Sequence, residues 1–368
     1  MAGRVLRFPH RAVSPEEVES SADRVLSVPL GERAARAAEL RLEEPDVLLA
    51  VCTRLRDRLD RSPATVREEA EFAYRFLLLP NRAIGLFDER EYFLGEFALV
   101  AGTACRQLSR RDEARLWFDR AEAGFRHTMN AVADLSRLAY QRLALRLEER
   151  ELEAVLELVP SLVQSFQKLS MPEEGLKAQF LEGLALLENE RLGESADVFH
   201  RICAEAESLG SEKLMASAYG NLTHLYAMQG DSAQAIEASR RAIPILKRLE
   251  DRVALAKVQW GLATLLRETG QLPAAVEAYR AAQQEFGRIG MRADVAALHL
   301  VVADLLLELG EEPAAAQLVL EALPVLQELN MIPEGMAALQ LLRESLREQK
   351  VNRPALRELH GFFEEIRS

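Results

Sequence analysis

The chain repeats itself every 40 residues, and that period limits its folding options more than any other feature. From Met215 to Ala254 it reads "MASAYGNLTHLYAMQGDSAQAIEASRRAIPILKRLEDRVA", two amphipathic helical stretches around a Gly230-Asp231 turn. One step of 40 residues carries Gly230 to Gly270 and a second to Gly310, while Ala235 moves to Ala275 and Ala315 and Leu222 to Leu262. A single helix pair buries too little apolar surface to offset the conformational entropy lost on ordering it, so such units must stack on one another. Backwards the match loosens. Tyr226 meets Leu186, Leu222 meets Glu182, and the expected counterpart of Ala235 is Ala196, one residue short of the period. The expected fold is therefore all-α, a solenoid of antiparallel helix pairs, and the 368 residues need not be divided among several deep cores.

The boundaries follow from the signals along the chain. Residues 1–13 carry Pro9 and scattered basic residues and read as a flexible tail. Ser14-Pro15-Glu16-Glu17 opens a helix with a cap, a first-turn proline and two acids. Helices are expected to about Leu26, from Leu30 to Leu42, from Pro45 to Leu59, and from a Ser62-Pro63 cap to Pro80. None of these keeps the period, so residues 14–87 read as an N-terminal helical bundle or cap. Asp88 is the expected N-cap of the next helix, and residues 88–334 hold about six repeats, the first turn being Arg110-Arg111-Asp112. In the helix after that turn, Ala114, Phe118 and Ala121 keep the spacing of Ala275, Tyr279 and Ala282, one residue short of phase. Residues 335–368 read as a degenerate repeat with a capping helix, in which Lys350 replaces the turn glycine.

Composition narrows the partners. A net charge of -12 argues against a nucleic-acid backbone as a direct ligand. No stretch is long and apolar enough to span a membrane, and no secretory apolar region follows the start, so a cytoplasmic setting is expected. Cys52, Cys105 and Cys203 are far apart and lie in apolar helical patterns, which reads as three buried thiols. The six histidines form no metal-binding pair, and phosphate-loop, nucleophile-elbow and kinase patterns are absent. No catalytic residue, cofactor or metal is expected.

Leu222, Tyr226, Gly230, Asp231, Ala235 and Ala242, spaced as helix, tight turn, helix, resemble the tetratricopeptide repeat. The common form of that repeat has about 34 residues. The longer period here is similar to the subclass found in bacterial Rap-type peptide sensors, the maltose-regulator sensor domain and the kinesin light chain. A bundle followed by long repeats looks most like the Rap layout. The resemblance implies a right-handed superhelix whose concave wall, built from the first helix of each pair, holds a peptide or a partner segment.

Carried onto this sequence, that wall gives three rows at 40-residue spacing. One is Tyr140, Phe180, Gly220, Trp260 and Leu300; a second is Arg137, Lys177, Ser217, Lys257 and Ala297. The third is Ala144, Leu184, His224, Thr264 and Asp304, with Asn221 beside the first row, where a structural bond on the helix face is the favoured reading and a bond to a peptide backbone the alternative. Cations one helical turn from aromatics suit a segment with apolar anchors and acidic groups or a free carboxylate. Apolar residues at this spacing also serve as core. Packing is the favoured reading for Phe180 and Leu300, while groove and core stand level for Tyr140, Trp260, Arg137 and Lys257. The loose match at Glu182 leaves Lys177 and Phe180 open by one position.

The expected function is a non-catalytic adaptor or regulatory protein that binds a peptide or protein segment. Two alternatives stand beside it: a peptide-sensing regulator acting on transcription through a DNA-binding protein or sigma factor, and a structural scaffold or oligomerisation module. The oligomeric state is not legible.

Overall fold

The computed structural model describes residues 14–79, 87–126, 128–328, 351 and 353–358. The expected tail, most of the degenerate repeat and its turn at Lys350 lie outside the described residues. All regular structure within them is helical. By their internal contacts the helices form two compact units, Met1–Ala185 and Leu186–Ser368.

The first unit begins with α1 (Pro15–Ser27), α2 (Leu30–Arg33), α3 (Pro45–Arg58) and α4 (Pro63–Leu78). The opening of α1 is as expected: the Ser14 hydroxyl accepts from the Glu17 amide, and the Glu17 carboxylate accepts from the Ser14 amide. The helix expected from Leu30 to Leu42 ends at Arg33 instead and continues as turns. Leu40 and Leu42 are both buried. The chain leaves helical geometry between them, with Arg41 at positive φ. Arg33 holds this bend from inside, donating to the Leu26 and Val28 carbonyls and to Glu69. Ser62 does not cap α4; its hydroxyl donates backwards to the Arg58 carbonyl.

The unit continues through α5 (Phe87–Gln107), α6 (Arg111–Phe125), α7 (Ala131–Glu148), α8 (Leu152–Lys168) and most of α9 (Pro172–Glu188). Asp88, expected as an N-cap, lies inside α5. Helices α5 and α6 pack almost backbone to backbone. A Cβ on Gly124 would fall 2.6 Å from the Gly95 nitrogen and 2.8 Å from the Glu91 carbonyl oxygen.

The second unit comprises the end of α9, then α10 (Leu192–Leu209), α11 (Glu212–Met228), α12 (Ser232–Arg248), α13 (Arg252–Glu268), α14 (Leu272–Arg288), α15 (Arg292–Glu308) and α16 (Glu312–Glu328), with a short helical stretch over 353–358. The starts of α11, α13 and α15 are 40 residues apart, as are those of α10, α12, α14 and α16. Gly230, Gly270 and Gly310 have positive φ, as their turn role requires, and the next residue's amide reaches back to the carbonyls of Tyr226, Leu266 and Leu306. Arg150, Ser170, Glu190 and Glu250 take the same left-handed conformation without being glycine.

These turns settle the register. Left-handed residues fall at Arg150, Glu190, Gly230, Gly270 and Gly310 at an unbroken spacing of 40, so nothing slips near Glu182. The counterpart of Ala235 is thus Ser195, not Ala196, and Ser195, Ala235, Ala275 and Ala315 are all fully buried where the paired helices cross. A hydroxymethyl group is small enough for the crossing, so the repeat persists although the alanine pattern breaks. The one-residue phase difference lies earlier, between Ser109 and Arg150.

Candidate functional site

In the first unit a cavity of 170 Å³ opens between α3, α5, α7, α8 and α9. It brings together three residues singled out from the sequence: Arg137, Tyr140 and Lys177. Arg137, Tyr140 and Gln141 share one face of α7 because they stand three and four residues apart, and Val100 and Thr103 come from α5 in the same way. Leu59, Leu99 and Phe166 supply apolar wall, Glu174 and Lys177 come from α9, and Arg56 comes from the last turn of α3.

Behind this wall sits Glu96, completely buried on α5. It accepts from Arg56 at 3.2 Å and from two nitrogens of Arg137 at 2.5 and 3.2 Å, and the Cys52 thiol lies 3.7 Å away. Burial opposes the charge on Glu96, but the Arg137 and Arg56 guanidiniums outweigh it and hold the carboxyl below the usual glutamate range. Burial likewise pushes the Cys52 thiol up to about 12, so it is neutral at physiological pH. Asp134, also fully buried, stands 3.6 Å from Arg137. The two guanidiniums are therefore matched by two carboxylates, and the inner wall is ionic but compensated.

What remains open to a ligand is mostly on the other side. The Lys177 ammonium, 3.3 Å from Glu173, is 39% exposed. The Thr103 hydroxyl is already spent on the Leu99 carbonyl. The Gln141 Oε1 atom is buried and has no hydrogen-bond partner among the described residues, so it is an acceptor without a donor. An apolar wall and a solvated cation suit a group that offers an aliphatic or aromatic side chain and an acid. Burial raises the Tyr140 hydroxyl above its ordinary pKa, so it too stays protonated and able to donate.

The remaining candidates lie elsewhere. Phe180 is half-buried on α9, and the settled register makes Lys177 and Phe180 the repeat equivalents of Lys257 and Trp260. In the second unit, Ser217 and His224 on α11 and Lys257 on α13 are exposed. The Asn221 amide donates to the Ser217 carbonyl at 2.9 Å, which stabilises α11 locally. Trp260 is half-buried with its ring edge-on to Phe286 at 5.8 Å. Thr264 bonds the Trp260 carbonyl and the Tyr279 hydroxyl. A Cβ on Gly220 would meet nothing within 4 Å, so the gap in the aromatic row is open space. On α15, Ala297 and Leu300 are buried, and Asp304 is held by Arg353 and Arg357. Among the described residues no cluster of metal-ligating side chains occurs and no helix is long and apolar enough to cross a membrane.

Sequence reasoning missed Arg56, Glu96, Thr103 and Gln141. A signal for Glu96 was available: it is the lone charge in the run from Phe93 to Cys105. A charge isolated in an apolar helix needs a partner. Nothing in the sequence says that the partners are Arg56 and Arg137.

Comparison with solved structures places the architecture. A Rap protein complexed with competence and sporulation factor aligns over 96% of this chain and 99% of its own, with a TM-score of 0.53 at 15% identity. The Rap conjugation gene regulator of plasmid pLS20, in complex with the Phr* peptide, aligns over 97% of each chain with a TM-score of 0.51 at 16% identity. The chain has the long-repeat tetratricopeptide fold of the Rap proteins. A signal-transduction ATPase with a tetratricopeptide-repeat sensor from Pyrococcus horikoshii matches 86% of this chain and 54% of its own, with a TM-score of 0.57 at 14% identity. Residues 188–322 match the family model of the soluble NSF attachment protein, SNAP, less than half of the chain. A search of curated protein sequences finds no match. At these identities the likeness is one of fold.

Proposed function

We propose that this protein is a non-catalytic regulator that binds a peptide or a segment of a partner protein, with the cavity of the first unit as its anchoring site. The observation that carries this reading is the convergence of Arg137, Tyr140 and Lys177 around an apolar pocket. Two Rap structures of the same fold hold a bound peptide or signalling factor, which supports a peptide as the ligand class. An apolar residue would lie against Leu59, Leu99 and Phe166, and an acid would meet Lys177. On the second unit, the faces of α11 and α13 that carry Asn221, His224, Lys257, Trp260 and Thr264 form a second candidate surface of their own.

The N-terminal helices at 14–87 form a second functional part in this reading, ahead of repeats at 88–334 and a cap at 335–368. Arg56 belongs to α3 yet both lines the cavity and holds Glu96. A ligand that contacts Arg56 therefore acts on a side chain that fixes α3 to α5, and its differential contact shifts how the bundle is held. The test is fluorescence polarisation with labelled peptides of five to ten residues that end in an apolar residue and a free carboxylate, beside amidated controls. Binding that weakens on Lys177→Ala supports the reading. Equal binding by the variant, or no preference for the free acid, refutes it.

A further inference from the structure

The open face of the first helices closes at α15. On α11 and α13, Ser217 and Lys257 are exposed, while Gly220 and Trp260 are half-buried; on α15 their equivalents Ala297 and Leu300 are buried, as is Val301. Residues from the end of the described chain share this face. Leu356 is fully buried in the same core as Leu300, Val301 and Leu305, and Leu356 and Arg357 line a 400 Å³ cavity with them. The contact is also ionic. Arg353 reaches Asp304 at 2.5 Å and Glu308 at 2.8 Å, and Arg357 reaches Asp304 at 3.2 Å.

The acids are particular to this helix. At the positions of Asp304 and Glu308, α13 has Thr264 and Glu268, and α11 has His224 and Met228. Only α15 of these three presents two carboxylates one turn apart beside an apolar strip. Residues 353–358, Arg-Pro-Ala-Leu-Arg-Glu, match it with a leucine between two arginines four residues apart. Both arginines and Glu308 retain substantial exposure, so these pairs are screened by solvent and the segment depends chiefly on Leu356.

We propose that the α15 face is a docking site for a basic, leucine-centred segment, and that residues 353–358 occupy it internally and yield to a partner segment of the same chemistry. The surface is separate from the cavity of the first unit and selects the opposite charge. Occupancy by the chain's own segment sets a threshold: a partner must outcompete a tethered rival, which reduces its apparent affinity by the fraction of time the face is filled.

The test uses the full chain and a fluorescein-labelled peptide of residues 350–361 as probe, read by anisotropy. The wild-type chain should bind it weakly, and Leu356→Ala in the chain should tighten binding at least tenfold by vacating the face. Adding Asp304→Asn and Glu308→Gln to that variant should abolish the gain, and a peptide with alanine for its leucine should not bind. Arg353→Glu with Arg357→Glu provides a second route, loosening the segment through charge alone, with circular dichroism to confirm folding. Equal binding by wild type and both folded variants overturns the proposal. Global unfolding of both variants overturns it as well, since the segment would then be an inseparable part of the core.

Discussion

Replacing Glu96 by Gln tests the buried ionic wall directly. The substitution keeps shape but removes the charge that faces Arg137 on two nitrogens and Arg56 on one. Arg56 is 34% exposed and can turn toward water, while Arg137 retains Asp134 at 3.6 Å. The loss should therefore fall at the lower end of the range for breaking a buried pair, about 3 kcal/mol. The assay follows from composition: the chain has two tryptophans, Trp117 in the first unit and Trp260 in the second. In a Trp260→Phe background, urea unfolding followed by tryptophan fluorescence reports the first unit alone. With a slope of about 2 to 3 kcal/mol per M, the midpoint should drop by about 1 to 1.5 M. The companion is Glu96→Gln with Arg137→Met, which removes the orphaned cation; it should be less destabilised than the single variant. The Glu96 carboxyl titrates below its ordinary value of 4.5 in the folded state, so its contribution is complete above that pH and lost as pH falls through the folded value. The gap between wild type and Glu96→Gln should accordingly narrow below about pH 4.5. A cost under about 1 kcal/mol at pH 7, or a double variant as unstable as the single, would refute the account of a charge-compensated wall.

Gly124→Ala should destabilise the first unit by at least about 1 to 3 kcal/mol, because the added Cβ meets the α5 backbone rather than a movable side chain; an unchanged urea midpoint would show that the two helices separate freely. Gly270→Ala has open space around its Cβ, so its expected cost of about 1 to 2 kcal/mol comes from the left-handed backbone alone, and Glu250→Gly, which relieves the same conformation, should move the thermal midpoint upward. Opposite signs in matched thermal melts confirm this, and shifts in the same direction contradict it.

The repeat was legible because stacking writes itself into every unit. Gly230, Gly270 and Gly310 mark turns that need positive φ, and Ala235, Ala275 and Ala315 mark crossings too tight for larger side chains. These are local demands on single residues, so they survive as spacing. The same logic explains the two errors of register. Ser195 satisfies the crossing without being alanine, and Glu190 satisfies the turn without being glycine, so letter matching saw a slip where the backbone has none. The irregular bend after Arg33 was hidden for a related reason: the stretch is rich in helix formers, and the bonds of Arg33 to Leu26, Val28 and Glu69 that hold the bend leave no local pattern.

Sequence by itself determined that the chain is all-helical, that its helices pair and stack at a fixed period, and which positions share a face of each first helix. Those properties depend on neighbours three, four and 40 residues away. Only the tertiary structure decided which of the candidates meet. Arg137, Tyr140 and Lys177 surround one cavity because α3, without any repeat, closes it with Arg56, whereas Asp304 is drawn to Arg353 and Arg357 from 49 and 53 residues further along. Contacts at such separations are set by the packing of whole helices, and no local periodicity encodes them.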